Sequence, residues 1–291
     1  MVWRPTLPTK DTPRLEVRKT YKLYVGGAFP RSESGRSYVV TDAKGKFLAN
    51  ASQASRKDAR DAVVAARKAF AGWHARTAYN RGQVLYRIAE VMEGRHQQFS
   101  LEVSQSEGLS ISKARAVVDA SIDRWVWYAG WADKLAQVVG SSNPVAGPYF
   151  DFTVPEPTGV VAILAPAEPP LLGLVSRMLP ALAGGNVVVA VASERHPVAA
   201  VELSEALATS DVPKGAVNVL TGFGDELAPW LAGHMDVNAI DLTGIEGPTA
   251  ELERAAAENV KRVVRSSPDA ATPWEIEAFL EHKTVWHPIG L

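Results

Sequence analysis

The sequence predicts an α/β fold, a doubly wound parallel sheet of Rossmann type. Three observations carry that expectation. Val, Ile, Leu and Ala dominate residues 159–164, 187–191 and 216–220, interrupted only by Gly159 and Asn218, as in strands buried on both faces. A segment of helical periodicity follows each run, so strand and helix alternate from Thr158 to Val264. Right-handed crossovers then lay helices over both faces of a single sheet.

The elements follow in chain order. Residues 1–19 hold three prolines and several charges without periodicity, which predicts a flexible N-terminal arm or surface strap. Tyr21, Leu23 and Val25 alternate ahead of Gly26-Gly27, predicting a strand and a tight turn, with a polar loop beyond. Ser55-Arg56-Lys57-Asp58 has the spacing of a capping box and opens a helix with Val63, Ala66 and Phe70 on one face. Further helices are expected over 80–94, 96–105 and 112–139, the last burying Val118, Ile122 and Trp125. Residues 140–157 turn rich in Gly, Pro and Ser and then alternate from Tyr149 to Val154, predicting an extended hairpin-like arm.

In the alternating region, an apolar helix over 170–183 closes on Gly184-Gly185-Asn186. A helix over 197–209 has Pro197 in its first turn. Helices over 225–232 and 248–258 flank a strand over 237–242, and 261–264 form the last strand of the series. Thereafter the alternation stops, leaving a short helix from Thr272 to Leu280 and a β-prone tail.

Composition narrows function. A net charge of −1 offers no basic footprint for nucleic acid. The longest apolar stretches are far too short to span a membrane. The N-terminus lacks a signal core, so a cytoplasmic location is expected. The 291 residues contain no cysteine, which excludes disulfides, thiolate metal sites and a sulfur nucleophile. The six histidines have no metal-ligand spacing, so no metal is expected. Ser110-Ile111-Ser112-Lys113 matches an SxxK nucleophile motif, but its partner motifs are missing and a helix N-cap is the expected role.

Open parallel sheets bind ligands at the carboxyl ends of their strands. Gly222-Phe223-Gly224 stands there, between strand and helix, where backbone amides approach phosphate; Leu227 replaces the third glycine of the fingerprint. Glu194 ends a strand and could accept both hydroxyls of a ribose. Thr243-Gly244 could frame a phosphate, although Ile245 supplies no side-chain donor. Glu168 would repel a pyrophosphate. The plainer readings are turns for the glycines and a solvated loop acid for Glu194.

The phrases YVGGAFPRSESGR, PTGVVAILAP, LPALAGGNVVV, VPKGAVNVLTGFG and AIDLTG resemble the aldehyde dehydrogenase superfamily, in its order, across residues 21–264. The resemblance implies its N-terminal nucleotide-binding-type domain and an oxidoreductase cofactor, NAD or NADP. Against the family pattern, Ala167-Glu168 replaces a tryptophan–asparagine pair, Val191 the cofactor-binding lysine and Ile245 a phosphate-contacting serine. Glu194 and the glycines survive. The segment carrying the general base has no counterpart after Val264, and the cysteine-bearing domain, roughly 150–200 residues, is missing.

Leu280 to Trp286 resembles the family's terminal pairing strand, and residues 140–157 resemble the other half of that oligomerisation sheet. The expected organisation is therefore a body of 20–139 with 158–265, and an oligomerisation arm and tail of 140–157 with 266–291. The expected function is that of a pseudoenzyme, resembling the cysteine-less second copy that some members carry. It would form a homodimer or a hetero-oligomer with a full-length aldehyde dehydrogenase. The alternatives are an NAD(P)-dependent aldehyde oxidoreductase whose active site a partner chain completes, and a dinucleotide-binding sensor.

Overall fold

The computed structural model describes residues 19–290; apart from Lys19, the arm expected over 1–19 lies outside the described residues. The first elements are β1 (Thr20–Tyr21), β2 (Ser37–Thr41) and β3 (Phe47–Ser52), forming a small sheet in the order β1-β3-β2. This corrects the expected strand through Val25, whereas the tight turn at Gly26-Gly27 and the polar loop up to Arg36 are present. Tyr24 instead exchanges backbone hydrogen bonds with Val219, at 2.9 and 2.8 Å. The β2–β3 hairpin escapes a periodicity search because its only buried hydrophobic residues are Val40, Ala49 and Ala51, in a minor cluster with Val198.

Five helices follow: α1 (Arg56–His74), α2 (Ala78–Gly94), α3 (His96–Glu107), α4 (Ile111–Trp131) and α5 (Leu135–Val138). The capping box of α1 is reciprocal. Ser55 Oγ accepts from the amides of Lys57 and Asp58, and the Asp58 carboxylate accepts from the Ser55 amide at 2.7 Å. Ser110 caps α4 by accepting from the Lys113 amide, so the SxxK match is a helix start. The single helix expected over 112–139 is two helices, because the Lys134 amide bonds back to Trp131 O and closes a tight turn.

After β4 (Ser141–Asn143) and β5 (Tyr149–Pro157) comes the central sheet. Its elements are β6 (Val160–Leu164), α6 (Pro170–Ala183), β7 (Val187–Val191), α7 (Val198–Ala208), β8 (Val217–Leu220), α8 (Gly224–Gly233), β9 (Ala239–Asp241), α9 (Ala250–Ala257) and β10 (Arg262–Val264). All its strands are parallel, in the order β10-β9-β6-β7-β8. Sequence order therefore reverses between β6 and β9, as in a doubly wound sheet. Helices α1 and α8 pack on the sheet and α9 on α8; α6 and α7 pack on the sheet and on each other, with α2, α3 and α4 outside them. The short α10 (Trp274–Glu277) leads into β11 (Leu280–Pro288), which pairs antiparallel with β5 in a third sheet, β11-β5-β4.

Burial follows composition. Every residue of β6 and β7 is buried, and so is all of α6 except Leu172. A helix apolar all round belongs inside. The exception in chemistry is Arg177 on α6, fully buried. Its Nε donates to Asp241 Oδ2 at 2.7 Å and its Nη1 to Glu275 Oε2 at 2.6 Å. Ser266 Oγ donates to the other Glu275 oxygen at 2.8 Å, so one buried cation ties the central sheet to α10.

A second network lies between α3 and α7. Glu202, fully buried, accepts from Arg95 and, at 2.9 Å, from Lys19. Glu102 stands beside it with a buried, unpartnered Oε2. Burial, then the Glu202 charge, push the Glu102 carboxyl up from 4.5 to about 8.

Two outcomes are expected. Arg177→Ala strands the buried Asp241 and should lower unfolding free energy by about 3–5 kcal/mol, read from denaturant midpoints. The proton on Glu102 stabilises the fold fully below pH 4.5, and that contribution is lost as pH rises through about 8. Glu102→Gln should therefore gain stability relative to the parent between those values and hold a constant advantage above them, measured by denaturation across the series.

Candidate functional site

A crevice of about 300 Å³ opens at the carboxyl ends of the central strands, where the strand order reverses. Leu164, Ala165 and Ala167 leave β6, and Val191 through Arg195 leave β7. Gly224 and Asp225 start α8, and Gly244, Ile245 and Glu246 follow β9. Parallel register brings these exits together although they are far apart in sequence.

Of the residues expected to contact a cofactor, Glu194, Gly224 and Gly244 line the crevice. Gly222 and Thr243 do not. Gly222, at φ 143°, packs against the link between β3 and α1, where a Cβ would come within 3.0 Å of the Ala54 amide nitrogen. Thr243 Oγ1 accepts from the Ser266 amide at 3.1 Å and so holds the connection to the tail. At Gly244 a Cβ would lie 2.2 Å from Ala165 O, so close passage of the β6 and β9 exits itself demands glycine.

The crevice has a mostly polar lining and an acidic rim. Leu164, Ala165, Val191 and Ala192 are buried beneath it, and Ile245 is the one aliphatic side chain among them that is partly exposed. Glu194, Asp225 and Glu246 face one cation, Arg195, and none of the three carboxylates makes a hydrogen bond or ion pair with another described residue. The N-terminus of α8 would attract an anion, but its first turn already carries Asp225, which faces the crevice, and Glu226, which pairs with Arg36 at 3.2 Å. Like charges about 7 Å apart near a protein surface repel by roughly 2 kcal/mol. The residues present therefore do not fit the pyrophosphate of NAD or NADP, even though Glu194 suits a ribose.

Neighbouring groups extend the picture. Glu194 and Arg195 also line a second hollow of about 390 Å³ with Tyr38, Thr41, His196 and Phe223. His196 Nδ1 lies 3.0 Å from Ser106 Oγ; burial lowers its pKa, opposed by the Glu168 charge. Burial, then Glu168, push the Glu107 carboxyl up to about 7. The sequence singles out neither Asp225 nor Glu107. Asp225 reads as an ordinary first-turn acid, and Glu107 reaches this neighbourhood only through the packing of α3 on α7. Among the described residues no cluster of ligands could hold a metal ion, and no helix is long and apolar enough to cross a membrane.

With this geometry in hand, comparison with known proteins is informative. Human retinal dehydrogenase 2 is 33% identical over 258 residues, covering 87% of this chain and 49% of the relative. The NAD-dependent aldehyde dehydrogenase of Sinorhizobium meliloti superposes with a TM-score of 0.78 at 28% identity, covering 88% of this chain and 51% of that one. PnpE of Pseudomonas sp. WBC-3 superposes at 0.79 with 31% identity, over 84% and 50%. PnpE has also been solved with nicotinamide adenine dinucleotide. This chain thus spans about half the length of the relatives it matches. Residues 29–266 match the sequence model of the aldehyde dehydrogenase family, and the chain belongs to that family.

Proposed function

We propose that this chain is a non-catalytic aldehyde-dehydrogenase-like subunit that pairs with itself or with a full-length aldehyde dehydrogenase. The observation that carries the reading is the sheet β11-β5-β4, whose nine-residue edge strand β11 leaves one side unpaired among the described residues. An open edge of that length presents backbone donors and acceptors to another chain.

The side chains support the same use. Trp286 is 59% exposed, Phe150 48% and Tyr149 43%. In the β5–β11 register Trp286 lies opposite Asp151 and Tyr149 opposite Pro288, placing both aromatics on one face. Phe150, Phe152 and Val285 occupy the other face. Exposed aromatics on both faces of a small sheet are the composition of an interface rather than of a solvated hairpin. On this reading 20–139 with 158–265 form the body, and 140–157 with 266–291 form the pairing arm and tail.

Chemistry points the same way. Oxidation of an aldehyde through a covalent intermediate needs an activated nucleophile, and the chain has no cysteine to supply one. Aldehyde turnover then requires a partner.

Sedimentation velocity of the purified chain, with and without a full-length aldehyde dehydrogenase, tests the proposal. Self-association or a mixed complex is expected. The double variant Phe150→Glu/Trp286→Glu should weaken it at least about tenfold, roughly 1.4 kcal/mol, with an unchanged circular dichroism spectrum. A monomer with no affinity for either partner, or NADH formed from NAD and an aldehyde by this chain alone, would overturn it.

A further inference from the structure

Away from the crevice, helices α2 and α4 leave a groove of about 560 Å³ between them. Its floor is made of small residues. Gly82 lies so close to α4 that a Cβ would come within 2.7 Å of Ala129 O, while a Cβ on Gly130 would meet nothing within 4 Å. The close crossing thus leaves an open slot. Tyr79 and Tyr86 wall it from α2, 66% and 49% exposed, and Val126 walls it from α4, 41% exposed. Seven residues separate the tyrosines, so they share one face of α2 about 10.5 Å apart. Exposed aromatic surface gathered in one hollow marks an interaction site.

An aromatic-lined groove is the seat that PxxP segments use. In polyproline form the chain rises about 3.1 Å per residue with three residues per turn, so prolines three apart share a face about 9 Å apart. That repeat matches the two tyrosines. The first 18 residues, outside those described, carry such a segment: Arg4-Pro5-Thr6-Leu7-Pro8.

The described chain begins within reach. Lys19 is held on α7, at 2.9 Å from Glu202 and 2.6 Å from Glu205. Glu202 also accepts from Arg95, at the C-terminal end of α2. From Arg95 back to Tyr79 is about 24 Å along the helix, and the eleven residues from Lys19 back to Pro8 reach about 34 Å. Asp211, beyond the end of α7, belongs to the groove lining, so α7 leads from the Lys19 anchor to the groove. Charge agrees. The groove bears Glu90, Asp133 and Asp211 against Arg87 and Lys134, whereas residues 1–14 bear Arg4, Lys10 and Arg14 against Asp11.

We propose that residues 4–8 of this chain lie along the α2–α4 groove in polyproline form, with Pro5 and Pro8 on the two tyrosines and the intervening segment strapped back from Lys19 along α7. No residue of the pairing arm lines the groove, so the proposal stands apart from association through β11.

Disulfide trapping in the full chain tests it, since the protein has no cysteine of its own. Leu7→Cys with Gln83→Cys, an exposed groove residue, is compared with Leu7→Cys and Gln98→Cys, also exposed and beside Arg95 at the Lys19 anchor. Under mild oxidation the 7–83 bridge should form within one chain at least about tenfold more than the 7–98 bridge, the excess reporting effective concentration at the groove. Adding Pro5→Ala/Pro8→Ala should remove that excess, with an unchanged circular dichroism spectrum in every variant. Three results would overturn the proposal: bridging to position 83 no greater than to 98, 7–83 bridges formed only between chains, which would seat a second copy's segment there, or an excess that survives loss of both prolines.

Discussion

Strands β6 and β7 bury all of their residues, and that two-faced burial constrains everything around them. A parallel strand apolar on both faces must be covered twice, so the crossover helices divide between the two sides of the sheet. The chain then has to leave every strand at the same edge. Five exits converge, and the reversal of order between β6 and β9 parts two of them into a crevice. The crevice is thus a consequence of covering aliphatic strands, whatever residues stand at their ends.

What stands at those ends is acidic on the rim. Gly244 remains because the β6 exit passes so close that no other residue fits. Positions 191 and 245 carry aliphatic side chains. A TM-score of 0.79 to PnpE and an acidic, lysine-free rim therefore coexist in one molecule.

The β11-β5-β4 sheet is held to the central sheet by ion pairs as well as by apolar contact. Arg177 sits in α6, a helix buried except at Leu172, and reaches Asp241 in one direction and Glu275 in the other. A buried charge is tolerated only when paired, so α10 has a fixed place. From there β11 runs directly along β5. Arg262 adds a bond to Glu281 at 3.1 Å, joining the last central strand to the same edge strand. Strand β11 is in this way tied to the central sheet.

Much of this was legible in the residues themselves. The two-faced strands over 187–191 and the apolar helix over 170–183 fell where composition placed them. So did the capping box at Ser55 and the extended arm before Pro157, because each rests on local spacing. The lack of a sulfur nucleophile is likewise a property of the sequence alone. The β2–β3 hairpin was not legible, since its stability comes from a few residues packed on Val198, more than a hundred positions away. Nor was the membership of the site. Gly222 and Thr243 are neighbours of the crevice in sequence, yet one packs on Ala54 and the other holds Ser266. Asp225 joins Glu194 and Glu246 only because β8, β7, β6 and β9 lie side by side. Local periodicity determines which segments become strands and helices. Tertiary structure decides which strand ends meet, because strand order is set by how the helices cover the sheet and not by distance along the chain.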